Sequence, residues 1–399
     1  MPTATPWSAA APSPAPTGPA SCRARPAPRL EPGDDAKGAE RVTLWRSEKP
    51  EPSSAPTPID PLAGGIATAV GSWPGTDPRE AAATIIGELP DLPHLVELPG
   101  RGVGADLIGR VSALLVDMRF DSTTRGYRLA ARPGAVSRRA RDLLRADLDA
   151  LEEAWETAGL AGAGRVVKVQ SAGPLTLAAE VELPGGHRVL TDSGAVRDLS
   201  ESLAEGLARH AAEVRRRLGA EVVVQLDEPQ LTTVLDGSLR GPSILNTIRA
   251  LPEPEALHIL DTVITAQSGP VLIHSCASRP ALTTLGRTAA AGVAIDAATI
   301  TTADLDALGE ILDSGRKLAL GLTPTSPPAA PATWRTVAEP GVRLVDRLGF
   351  PRRLLAEQIL VTPACGLAGA PLAWSRTALS LGRDAARAFA EEPDSITVD

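Results

Sequence analysis

The sequence predicts an α/β protein folded as a (β/α)8 TIM-type barrel behind a disordered Pro/Ala-rich N-terminal tail. Three observations predict it. Eight short apolar or β-branched runs alternate with amphipathic helical stretches from about residue 65 onward. Continuous apolar strands separated by helices indicate a parallel sheet covered on both faces. Polar residues recur at the C-terminal ends of those runs, which is where such barrels carry their chemistry. A doubly wound open sheet is the alternative. It loses its main support because no GxGxxG follows the first run and no P-loop glycine–lysine motif is present.

The elements follow in order. Residues 1–60 hold 13 of the 37 prolines, interleaved with Ala, Ser and Thr and without helical or strand period. Such a segment buries too little apolar surface to offset its ordering entropy. Residues 1–62 are therefore assigned to a disordered tail, or to translation from an upstream start, and 63–399 to one barrel. Cys22 falls in the tail. The strand candidates are 66–71, 94–98, 166–170, 222–226, 271–274, 292–296, 318–322 and 359–363. Helix-like segments cover 137–158, 195–218, 243–251, 280–291, 303–314 and 371–391. The stretch 171–192 reads as a longer loop walling the mouth. Residues 121–128, DSTTRGYR, read as a lid with a glycine hinge.

Composition narrows the function. Hydrophobic residues make up 43% of the 399, which excludes a wholly disordered protein. Aromatics are only 3%, so the core is Ala, Val, Leu and Ile, and stacking platforms for single-stranded nucleic acid are not expected. A net charge of −8 disfavours generic polyanion binding. Three cysteines are too few for a disulfide scaffold and fit free thiols or thiolate ligands in a reducing compartment. No run of about 20 apolar residues and no secretory signal is present, so a cytoplasmic protein without a membrane span is expected.

The strand ends carry a recurrent set of functional side chains. Ser72 follows the first strand and Glu97 ends the second. Asp227 and Glu228 end the fourth, His274 and Cys276 the fifth, and Asp296 the sixth. Cys365 follows the eighth. In extended backbone, residues i and i+2 point the same way, so the His274 imidazole and the Cys276 thiolate converge on one point. A barrel returns Cys365 to the same mouth. One His and two Cys are a zinc-like set, because Zn²⁺ favours nitrogen and sulfur in tetrahedral geometry. The competing reading makes both cysteines small buried hydrophobes and His274 a satisfied core residue. For Glu97 and Asp227 the competing reading is ion pairing or helix capping. Glu228 alternates away from Asp227 and is more simply structural. His94 reads as structural, His210 and His258 as helix-surface residues, and His187 as a loop residue near the mouth. The run 209–217, RHAAEVRRR, reads as a solvated helix face.

These motifs, in this order, resemble the C-terminal barrel of cobalamin-independent methionine synthases. AVGSWPGT (69–76), LVEL (95–98), SAGPLT (171–176), VQLDEP (224–229), IHSC (273–276) and TPACGL (362–367) are similar to that family's motifs and cover about 65–391. The resemblance implies zinc held by His274, Cys276 and Cys365, with homocysteine contacts from Ser72, Glu97 and Asp227. It implies methyl transfer to homocysteine, giving methionine, in a homocysteine S-methyltransferase of the 5-methyltetrahydropteroyltriglutamate type.

The sequence departs from the family at four places. The Pro-rich tail stands where the long enzymes carry a second barrel. Asp296, one methylene shorter, stands where the family's fourth zinc ligand is a Glu, and it is expected to complete the zinc shell. Ala178, Ala179 and Glu180 replace a Trp that lies against folate. Thr323 and Thr325 lie near the positions of an Asp and a His that serves as acid, and threonine is no general acid at neutral pH. The thiol half of the site is kept and the folate half is not, which leaves the donor open between a folate, a methyl-corrinoid and a carrier protein. Competing functions are a uroporphyrinogen decarboxylase-like barrel, transfer to another thiol, and a non-catalytic paralogue that binds zinc or an amino-acid thiol.

Overall fold

The computed structural model of the chain describes residues 60–162, 164–241 and 248–397. The expected tail up to residue 59, Cys22 and most of the helix expected over 243–251 lie outside them. The strands are β1 (Phe120–Thr123), β2 (Gly126–Leu129), β3 (Val166–Ala172), β4 (Val181–Glu182), β5 (Glu221–Asp227), β6 (Val271–Ser275), β7 (Gly292–Asp296), β8 (Lys317–Thr323) and β9 (Ile359–Pro363). The helices are α1 (Pro78–Glu88), α2 (Ala135–Thr157), α3 (Pro174–Glu180), α4 (Ser193–Leu218), α5 (Leu231–Asp236), α6 (Glu253–Thr265), α7 (Leu282–Arg287), α8 (Leu305–Asp313), α9 (Trp334–Leu348), α10 (Arg353–Gln358) and α11 (Leu372–Glu391).

Six strands form one curled parallel sheet in the order β3-β5-β6-β7-β8-β9. The first two expected strands, 66–71 and 94–98, are not ladders. They pair through isolated parallel bridges, Ala67 with Val361, Ser72 with Glu97, and His94 with Lys168. Backbone bonds run from Val361 N–H to the Ile66 carbonyl and from Lys168 N–H to the Pro93 carbonyl, both within 2.9 Å. The two segments thus link β9 to β3. Their pairing is broken where Gly71 takes φ 150 and where Pro93 offers no N–H.

Strand parity sorts the side chains. Val166, Val223, Leu272, Ala294, Ala319 and Leu360 form a small cluster with Leu62 and Leu92. Their sequence neighbours Val167, Val222, Val224, Ile273, Val293, Leu318, Leu320, Ile359 and Val361 belong to the main core under the helices. Alternation therefore gives an apolar floor inside the curl and a helix-packed outer face. Two and four residues beyond the floor, the same parity carries Lys168, Gln170, Gln225, Asp227, His274 and Cys276. Leu62, placed in the tail by composition, is only 2% exposed because it plugs this floor, and Asp60 pairs with Lys317 at 2.9 Å.

Three local readings change. The lid expected over 121–128 is a β1–β2 hairpin with two residues between Thr123 and Gly126, and β2 pairs in parallel with β4. The loop expected over 171–192 contains α3 and β4. The helix expected over 280–291 shrinks to α7. No described helix is long and apolar enough to cross a membrane.

His210 is buried, not on the surface, whereas His258 is exposed as expected. Burial holds both His94 and His210 down to about pKa 3, with the Lys168 ammonium and the Arg110 guanidinium adding to the effect. Each is neutral in the folded chain. Each therefore contributes stability that is whole above pH 6.5 and is lost as pH falls from 6.5 towards 3. The slope is about 1.4 kcal/mol per pH unit per histidine. Urea unfolding should show these two groups costing about 4 kcal/mol between pH 7 and pH 5. His94→Gln should halve that loss, and an unchanged slope would refute it.

Candidate metal centre

The ends of the curled sheet bring together side chains that are distant in sequence. His274 and Cys276 leave the end of β6 on one face, and Cys365 follows β9. Their ligating atoms all lie within 4.8 Å of one another. His274 is 3% exposed and both cysteines are half-buried, free thiols. The two thiols act on each other, which pulls Cys365 below its ordinary value and pushes Cys276 above it.

The imidazole is aimed. Its Nδ1 meets Asp227 Oδ1 at 2.8 Å, while its Nε2 is buried without a partner among the described residues. A ring nitrogen tied to a carboxylate fixes the tautomer and leaves the other nitrogen's lone pair free, which is the arrangement of a metal-ligating histidine. An orphaned buried nitrogen beside two sulfurs, one of them thiolate-prone, suits a soft or borderline cation.

Asp227 is held in turn by Gln225, whose Nε2 donates to it at 2.7 Å and to the Val70 carbonyl at 2.8 Å. Lys168 Nζ donates to the same carbonyl at 3.1 Å. Lys168 is fully buried, and burial pulls it down to about pKa 8 against the attraction of Asp227 and Glu97. A single cavity of about 210 Å³ is lined by Ser72, Glu97, Asp227, His274, Cys276 and Cys365, with Pro99, Leu107 and Pro229 as apolar wall. Six of the seven side chains expected to bind metal or substrate therefore meet. Close approach is required on one side, since a Cβ on Gly366 would fall 2.1 Å from Ser72 Oγ.

Asp296 stands apart from the His–Cys–Cys group. Its Oδ1 accepts the Ala298 N–H at 2.9 Å and caps a short turn. Glu97 is an ion-pair partner of Arg110, and both side chains are nearly inaccessible. Burial pushes the Glu97 carboxyl up while Arg110 pulls it down. Glu228 points outward, as its parity requires. It accepts the N–H groups of Leu175 and Thr176 and the Thr176 hydroxyl at 2.6–2.9 Å, and burial pushes it up to about pKa 7. Gly173 leaves it room, since a Cβ there would lie 2.3 Å from Glu228 Oε1. The GPLT and DEP segments are thus clamped to each other by a structural carboxylate. His187 is exposed, and neither it nor Thr323 or Thr325 lines the cavity. Arg110, Gln225 and Lys168 were not singled out by the sequence. Lys168 did leave a signal, a charge flanked by valines in a strand.

The sequence profile of the family described as cobalamin-independent synthase, catalytic domain, matches residues 66–388. Among solved structures, a B12-independent methionine synthase from Shewanella sp. W3-18-1 in complex with selenomethionine is similar. The TM-score is 0.53 at 11% identity, over 81% of this chain and 97% of that one. A methyltransferase from Methanosarcina mazei gives TM-score 0.49 at 14% identity, over 83% and 94%. At 11% identity the likeness to the Shewanella structure is one of fold. No curated protein matches the chain.

Proposed function

Because the chain belongs to the cobalamin-independent synthase catalytic-domain family, we propose that it is a zinc-dependent methyltransferase acting on the thiol of homocysteine to give methionine. The observation that carries this reading is the orphaned His274 Nε2 beside the Cys276 and Cys365 sulfurs. We read the curled sheet and its two bridged segments as a (β/α)8 barrel over 63–399. His274, Cys276 and Cys365 would hold the zinc, and Asp296, occupied as a cap, leaves the fourth position to the substrate sulfur. Bound there, zinc would supply acidification, keeping the homocysteine thiol as the thiolate nucleophile.

This chain's own residues do the rest. Asp227 orients His274 through Nδ1 and presents a carboxylate to the substrate ammonium. Glu97 offers a second carboxylate, held in place by Arg110. Ser72 and the backbone beside it receive the substrate carboxylate. The small cavity excludes bulk water and fixes the sulfur for in-line attack, so that positioning supplies much of the rate. Cys276 and Cys365 serve in this role only as reduced thiols, which fits a cytoplasmic setting. The methyl donor, a folate or a corrinoid, approaches from outside this cavity.

Zinc per chain, measured by elemental analysis, should be about one. Added homocysteine should change the absorption spectrum of the cobalt-substituted protein. Methionine should form with methyltetrahydrofolate or methylcobalamin. Asp227→Asn should weaken zinc affinity by about 10–100-fold. A folded, reduced protein without zinc affinity would sink the reading. A spectral change without turnover on either donor would favour the non-catalytic paralogue.

A further inference from the structure

We propose that the groove between α2 and α4 is a binding site for a small oxyanion ligand carrying two or more phosphate or carboxylate groups. The groove has a volume of about 430 Å³ and lies apart from the cavity around His274, with which it shares no lining residue. That is room for a small organic ligand. Arg141 and Arg145 of α2 face Arg209 and Arg217 of α4 across it, and Arg119 closes it from the segment between.

The charges are unevenly satisfied. Arg217 is engaged by Asp149 and Glu152, and Arg209 by Glu205. Arg119, Arg141 and Arg145 have no carboxylate partner among the described residues. Arg119 donates through Nη1 to the Met118 carbonyl at 2.6 Å, but its Nε is buried without a partner. Among the described residues Arg141 reaches only the Ser137 carbonyl, at 3.1 Å, and Arg145 makes no hydrogen bond or ion pair. Arg141 and Arg145 are one helical turn apart, where like charges destabilise a helix. The lining carboxylates Asp117 and Glu213 offset part of this charge.

His210 is the second, independent observation. It is only 6% exposed, lines the groove, and has no hydrogen-bond partner among the described residues. Held neutral, its ring offers an N–H donor on the groove floor. Guanidinium forks above a neutral donor match the oxygens of a phosphate or carboxylate, which accept two bonds from each fork. The run 209–217 is therefore not simply a solvated helix face, since its inner side forms one wall of this groove.

Isothermal titration of the full zinc-loaded chain tests this with fructose 1,6-bisphosphate and tricarballylate as probes, against sodium chloride of equal ionic strength. At least one probe should bind saturably at one per chain. The double variant Arg141→Ala/Arg145→Ala, on exposed helix positions, should weaken that binding by at least about tenfold. His210→Gln should weaken it too, with the fold checked by circular dichroism. Binding of the bisphosphate alone assigns a phosphate ligand, and binding of tricarballylate alone assigns a carboxylate. Absence of saturable binding by both probes, or an unchanged Kd in the double variant, overturns the proposal.

Discussion

Cys365→Ser should take the zinc content from about one per chain to near zero and abolish methionine formation. Cys365 follows β9 and Cys276 follows β6, yet their sulfurs and a His274 nitrogen lie within 4.8 Å of one another. Loss of an outer-shell partner typically costs about 10–100-fold in affinity. Removing one of the three proposed ligands should exceed that, so a chelator titration should show more than about 100-fold weaker zinc binding. Serine keeps the size of the side chain and the position is half-buried, so the fold should persist. Metal linkage predicts that saturating zinc raises the melting temperature of the wild type and not of the variant. Wild-type affinity in the variant would remove Cys365 from the site.

Arg110→Ala should be the most damaging substitution for stability. Arg110 and Glu97 form a nearly inaccessible ion pair, and Arg110 also reaches the Gln170 carbonyl at 3.4 Å. Removing one partner of a buried pair leaves an uncompensated charge, at a cost of about 3–5 kcal/mol. Burial already pushes the Glu97 carboxyl upward, so without Arg110 it should take up a proton on folding. A carboxyl raised in the folded state binds more protons than it does unfolded. Stability is then full below its unfolded pKa and is lost as pH rises through the folded one. Urea unfolding should therefore find the variant more impaired at pH 7.5 than at pH 5. Adding Glu97→Gln should recover part of the loss, because the unpaired charge is gone. Equal impairment at both pH values would refute the ion-pair account.

The parallel strands β3 and β5 to β9 were legible because runs such as 222–224 and 318–322 are continuously apolar, as strands of a sheet covered on both faces are. The first two strands were legible as positions but not as ladders, since Gly71 and Pro93 break pairing in ways that hydropathy does not register. Helix α9 lies outside the segments expected to be helical, and it carries Pro340 and Gly341 inside it. Gly341 is used for contact, since a Cβ there would lie 2.9 Å from the Phe389 ring. The hairpin over 120–129 was hidden in a polar stretch where only Phe120 and Tyr127 are buried.

The sequence by itself determined the α/β class, the strand order along the chain, and the residue types gathered at the strand ends. Local periodicity and side-chain chemistry are properties of neighbouring residues. Only the tertiary structure decided which carboxylate does what. It placed Asp227 on the His274 imidazole, Glu97 on Arg110, Glu228 on the start of α3, and Asp296 on its own turn. It also buried His210 in an arginine-lined groove. A carboxylate's role is set by the nearest donor in space, and for Asp227 and Glu228 that donor lies 47 and 53 residues away in the chain.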